Sequence, residues 1–137
     1  MFKQGPIPAF VHGLIEYAAA VLLIAAPFLF SFDSDAATAV SIVAGVLVLI
    51  VAASTAMSTG LIKSIPVHAH VMMDYVLAAV LIAAPFLFGF TSDGTATAFF
   101  IVLGVVHLLM TIATRFVPEE KPPRAKRAPP PAEKKPN

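Results

Sequence analysis

The stretch Ile7–Asp35, IPAFVHGLIEYAAAVLLIAAPFLFSFDSD, returns as Ile65–Asp93, IPVHAHVMMDYVLAAVLIAAPFLFGFTSD, shifted by 58 positions. Sixteen of the 29 aligned positions are identical, among them His12/His70, Tyr17/Tyr75 and the whole run Leu23–Phe30 against Leu81–Phe88. Glu16 faces Asp74, so the carboxylate is kept while its length changes. The chain is therefore two copies of one unit, and a period of this kind decides the architecture before any local signal does.

Each copy carries two long apolar runs. The four lie at about Ala9–Phe32, Ala37–Met57, Val67–Phe90 and Ala96–Val117. About 20 helical residues cross a hydrocarbon core of roughly 30 Å, so each run is a membrane span. Composition agrees: 58% of the 137 residues are apolar, 12% are charged, and mean hydropathy is +0.88. The first run is longer than a signal-peptide core of about 7–15 residues and recurs in mid-chain, which makes it a retained helix. The expected fold is all-α: a four-transmembrane-helix bundle built from two tandem parallel helical-hairpin repeats. Residues 1–117 form the membrane domain, with repeat 1 at about 7–60 and repeat 2 at about 65–117.

The nine Lys and Arg residues are Lys3, Lys63, Arg115 and six in the tail. All fall at the N-terminus, between helices 2 and 3, or at the C-terminus, whereas the other two loops carry Asp33, Asp35 and Asp93 and no basic residue. The positive-inside rule then places both termini in the cytoplasm, as expected for a multi-pass protein of a plasma membrane. Residues 118–137, rich in Pro and basic side chains, read as a disordered cytoplasmic tail.

Pro8 and Pro66 open helices 1 and 3, where a missing N–H costs nothing. Pro27 and Pro85 lie late in the same helices and are expected to kink or loosen the last turn, leaving a carbonyl for a neighbour to satisfy. The phenylalanines around them, Phe28, Phe30, Phe32 and Phe86, Phe88, Phe90, read as packing and lipid contact. With a one-residue gap, Gly45 of helix 2 matches Gly104 of helix 4, a placement suited to close helix approach.

Ionisable groups inside a membrane cost roughly 2.5–3.5 kcal/mol each on insertion scales. Here two carboxylates follow a histidine by four residues, His12…Glu16-Tyr17 and His70…Asp74-Tyr75. That spacing sets each pair on one helix face, and the repeat sets both pairs at one depth. Three readings stay open: a packing cluster in which each carboxylate bonds its own His or Tyr or a neighbouring helix end; a transition-metal or haem site on His12, Glu16, His70 and Asp74; or a proton relay. His68 lies one residue off the shared face. His107 reads as a lone histidine bonded to a neighbour, and Ser41, Ser54, Thr55, Thr111 and Thr114 as bonding across helices or to their own carbonyls.

Without cysteine there is no disulfide, thiol nucleophile or thiolate metal site. No nucleophile-and-base pattern, phosphate loop or nucleic-acid surface is present, so the expectation is a non-enzymatic protein without a cofactor. Its partners are the lipid bilayer and a further copy or another membrane protein, docked through the small-residue faces of helices 2 and 4.

Over about residues 7–116 the pattern resembles the SPW-repeat membrane proteins of bacteria, named for a Ser-Pro-Trp motif near the outer end of the first helix of a two-helix repeat. The motif positions here read Ala26-Pro27-Phe28 and Ala84-Pro85-Phe86, keeping the proline and replacing its neighbours. The His…carboxylate-Tyr elements and Gly45/Gly104 are also similar. The resemblance implies a small inner-membrane protein with no assigned activity and adds no catalytic residue.

Overall fold

A computed structural model describes residues 5–116; residues 1–4, Val117 and the tail 118–137, where disorder was expected, lie outside the described residues. Four helices follow in order: α1 (Ala9–Leu29), α2 (Asp35–Ser54), α3 (Val67–Leu87) and α4 (Gly94–Ala113). All four are long and apolar enough to span a bilayer. Large aliphatic and aromatic side chains such as Val21, Phe28, Val43, Phe86 and Val102 are exposed along them. Outward apolar surface on every helix is what a hydrocarbon solvent requires and what water would penalise.

Packing is densest within the hairpins α1/α2 and α3/α4 and sparse between them. A Cβ on Gly45 would come within 2.7 Å of Ile24 Cγ1 and 2.8 Å of the Ala20 carbonyl, and one on Gly104 within 2.7 Å of Ile82 Cγ1 and 3.1 Å of the Ala78 carbonyl. The two glycines thus let the helices of each hairpin touch backbone to side chain. That use turns both toward their own hairpin, so they are not free to dock a second copy.

Helices α2 and α4 start two residues before their apolar runs, and all four end three or four residues before theirs; caps and turns account for the starts of α2 and α4 and the ends of α1 and α3. Ser34 accepts a hydrogen bond from the Ala37 N–H and starts α2, and Asp93 does the same for α4 through Ala96. The equivalence is thus Ser34 with Asp93, which places the one-residue gap between Phe90 and Asp93. Helices α1 and α3 run through Pro27 and Pro85 for two more residues. They then close when Phe32 N–H bonds the Pro27 carbonyl at 3.0 Å and Phe90 N–H bonds that of Pro85 at 2.9 Å. These are the long closing bonds of Schellman turns. The left-handed residue each turn needs is Gly89 (φ 70) in the second hairpin but Ser31 (φ 51) in the first. Pro27 leaves the Leu23 carbonyl without its helical donor, and the Ser41 hydroxyl of α2 supplies one. At the matching place in α4 stands Phe100, fully buried and without a donor.

Two seams join the hairpins. At the far ends of α1 and α3, Phe32 packs against Phe99 and Phe100, with Phe90 on Phe100 at 5.0 Å. Of the six turn phenylalanines, Phe28, Phe30, Phe86 and Phe88 are exposed as expected; Phe90 is core and Phe32 is half-buried against it. Asp93 adds a polar tie, accepting from Asp33 N–H at 2.8 Å and Ser34 N–H at 3.0 Å. At the near ends the chain entering α1 (β1, Ile7–Pro8) pairs in parallel with the chain leaving α4 (β2, Thr114–Arg115), and Thr55 bridges Ile65 in the same way. The first link closes the bundle where the second is covalently continuous.

Gly45→Ala or Gly104→Ala should destabilise the detergent-solubilised protein by about 1–3 kcal/mol through overpacking, whereas Ser31→Gly should stabilise it by about 0.5–1 kcal/mol by relieving a left-handed L-residue; thermal unfolding followed by circular dichroism measures both. Burial pushes the Asp93 carboxyl upward, but backbone N–H bonds from Ala96, Ser34 and Asp33 favour its ionised form more, and its pKa ends below the usual carboxylate range. Its stabilising contribution is complete above the unfolded value of about 3.9 and is lost as pH falls through the lower folded one. Asp93→Asn should therefore flatten the acid limb of the stability–pH profile.

Candidate functional site: a buried histidine–carboxylate cluster

Near the start of α1 and α3, His12, Glu16, His70 and Asp74 meet on the axis between the hairpins, each no more than 2% exposed. The end of α4 lies on His12 and the end of α2 on His70, so α1 and α3 start at the same end of the bundle and run in the same direction. The shortest pairs cross between hairpins: His12 Nε2 to Asp74 Oδ2 and His70 Nε2 to Glu16 Oε2, both 3.2 Å. The pairs within a helix are longer, 3.7 Å for His12–Glu16 and 3.4 Å for His70–Asp74. The packing reading let each carboxylate bond its own His or Tyr or a neighbouring helix end; the structure puts the nearer histidine of each carboxylate on the facing helix.

The far nitrogen of each histidine is held by a threonine. His12 Nδ1 lies 2.9 Å from Thr114 Oγ1 at the end of α4, and His70 Nδ1 lies 2.9 Å from Thr55 Oγ1 at the end of α2. Each threonine donates its one hydroxyl hydrogen to the carbonyl four residues back, Met110 or Val51. The hydroxyl oxygen is then only an acceptor, so the imidazole must donate from Nδ1. Both rings are thereby fixed with Nδ1–H toward threonine and Nε2 toward the carboxylates.

His107 of α4 joins from the side, its Nε2 3.6 Å from Asp74 Oδ1. It is thus a member of the cluster. Its place in the first hairpin is taken by Val48, so the cluster has five members on a nearly twofold frame. Met57, Val71 and Phe116 form an apolar plug beside it, with the Phe116 ring edge-on to His12 at 4.9 Å. On the other flank an apolar groove of about 570 Å³ between α2 and α3, lined by Leu47, Val51, Met72 and Leu77 among others, reaches Glu16 and Asp74.

Other residues singled out in the sequence lie elsewhere. Tyr17 donates its hydroxyl hydrogen to the Thr59 carbonyl at 3.0 Å. Tyr75 and His68 are exposed. Thr55 and Thr114 carry a signal that was available: they share the 59-residue offset of Gly45/Gly104. His107 lies two turns before Thr114 and so on the same face of α4, which ties it to the cluster once Thr114 is placed there.

Removing one member leaves its partners buried and uncompensated. Asp74→Ala should cost about 3–5 kcal/mol, and Tyr75→Phe, at the exposed neighbour, less than about 0.5 kcal/mol. Denaturant or thermal unfolding in one detergent compares them directly.

No curated protein and no solved structure matches the chain. The family model of the SPW repeat domain matches residues 10–114, which takes in the four helices but for Ala9, both proline turns and the whole cluster. With its four membrane-length helices the chain is a multi-pass membrane protein, and it belongs to the SPW repeat domain family.

Proposed function

We propose that this chain is a small non-enzymatic protein of a bacterial plasma membrane, with both termini cytoplasmic, acting as a structural or interaction element. The carrying observation is how the ionisable side chains are used. His12, Glu16, His70 and Asp74 face one another across the hairpin boundary, and Thr55 and Thr114 hold the histidines from the helix ends. Polar groups placed this way tie two sparsely packed hairpins into one body, a task hydrophobic contact performs poorly when lipid is equally apolar. The orientation is supported by charge: Lys63 and Arg115 stand at the cluster end of the bundle, and Asp33, Asp35 and Asp93 at the other.

Two measurements test this. In proteoliposomes loaded with a pH-sensitive dye, wild type, Glu16→Gln and Asp74→Asn should give the same proton leak as empty vesicles, while both variants unfold at lower temperature; wild-type flux abolished by either substitution would contradict the reading. In intact cells, the cysteine-free background allows single-site labelling. Asp35→Cys should react with an impermeant maleimide and Lys63→Cys should not; the reverse pattern would invert the topology.

A further inference from the structure

The cluster is arranged for something its own members do not supply. His12 Nε2, His70 Nε2, Glu16 Oε2 and Asp74 Oδ2 are all buried, and none has a hydrogen-bond partner. The cross pairs are 3.2 Å apart, near enough for hydrogen bonds in length, yet not aligned for them. Buried polar atoms in native structures are almost always paired, and those that are not call for an explanation. Four such atoms converging on one point is a stronger observation than any one alone.

We propose that His12, Glu16, His70 and Asp74 bind one divalent first-row transition-metal ion, of which zinc is the type, in four-coordinate geometry at the joint between the hairpins. Metal–nitrogen and metal–oxygen bonds of 2.0–2.2 Å in a tetrahedron set the ligand atoms about 3.4 Å apart. Three histidine–carboxylate distances among these atoms, 3.2 Å for His12–Asp74, 3.2 Å for His70–Glu16 and 3.4 Å for His70–Asp74, lie close to that edge, and His12 Nε2 approaches the other Glu16 oxygen, Oε1, at 3.7 Å. One donor atom from each of the four residues lies within 4.8 Å of every other, so small side-chain shifts close the remaining edges. Two imidazoles and two carboxylates without a thiolate suit zinc, iron(II), cobalt(II) or manganese(II) rather than copper(I).

The surroundings match the requirements of a metal centre. A histidine ligand needs its other ring nitrogen protonated and held, and Thr55 and Thr114 do this for His70 and His12 through hydroxyls that can only accept. Nε2 is left as a lone pair pointed at the centre. Two neutral imidazoles, two carboxylates and a dication sum to zero charge, which suits a site screened from water by Met57, Val71 and Phe116. His107 faces Asp74 Oδ1, the oxygen turned away from His12 and His70, and so orients the carboxylate from outside the ligand set. An ion here acts as a clamp between the two repeats, each giving one histidine and one carboxylate.

The test is made on the full chain purified in mild detergent, stripped with chelator and titrated with zinc and with cobalt(II). Zinc should bind one ion per chain, and cobalt(II) should give the intense visible bands of a four-coordinate nitrogen–oxygen site. His12→Ala and His70→Ala should weaken zinc binding at least about 100-fold, and Thr55→Val and Thr114→Val about 10–100-fold without removing a ligand. Should the alanine variants fail to fold, Glu16→Gln and Asp74→Asn keep shape and remove the anionic donor, and they should also weaken binding at least 10-fold. A folded wild-type protein that takes up neither ion, a pale six-coordinate cobalt spectrum, or unchanged affinity in Glu16→Gln and Asp74→Asn would overturn the site.

Discussion

Four ionisable side chains buried at one level of a membrane bundle impose the constraint on which the rest of this structure depends. Each costs several kcal/mol to hold in hydrocarbon unless it is compensated. Compensation demands that α1 and α3 face each other with residues 12, 16, 70 and 74 at one level, and that the ends of α2 and α4 deliver threonines to the far side of each ring. The parallel pairings Ile7–Thr114 and Thr55–Ile65 accomplish the last of these, because the two-residue strand β2 and the Thr55 bridge begin at the very threonines that hold His12 and His70. The short strands are thus part of the polar joint, even though their own contacts are between backbones.

The repeat creates near-symmetry, and its breaks show where each copy has a separate task. Ser41 supplies the donor that Pro27 removes from α1, while its counterpart Phe100 fills the outer seam with aromatic surface. Val48 is plain core, and its counterpart His107 enters the polar cluster. Ser34 caps one helix, whereas its counterpart Asp93 caps the next and also ties the first hairpin's turn. Phe100 and Asp93 thus add contacts between hairpins, whereas His107 adds one to Asp74 inside its own hairpin, so the two copies are no longer interchangeable.

Much of this was legible in the sequence. The 58-residue repeat and the four apolar runs give helix number and hairpin order, and the His-x-x-x-carboxylate spacing gives the shared face. Other features were hidden for physical reasons. Which histidine faces which carboxylate depends on the distance between α1 and α3, and helix spacing leaves no mark on a one-dimensional pattern. The threonines look like ordinary helix-end residues until the strand pairing brings them 102 and 15 positions along the chain from their partners. His107 has no repeat counterpart to flag it. The tyrosines, by contrast, are repeated at equal strength and stay outside the cluster, since residue i+1 from a buried carboxylate points about 100° away from it.

The cluster couples one hairpin to the other, and a double-mutant cycle on His12→Ala and Asp74→Ala measures that coupling. The two residues belong to different repeats, so a joint predicts a coupling free energy of about 1.5 kcal/mol or more in the stability of the double variant. Additive effects within about 0.5 kcal/mol would mean that the hairpins hold together without the cluster, and would contradict a polar joint between them.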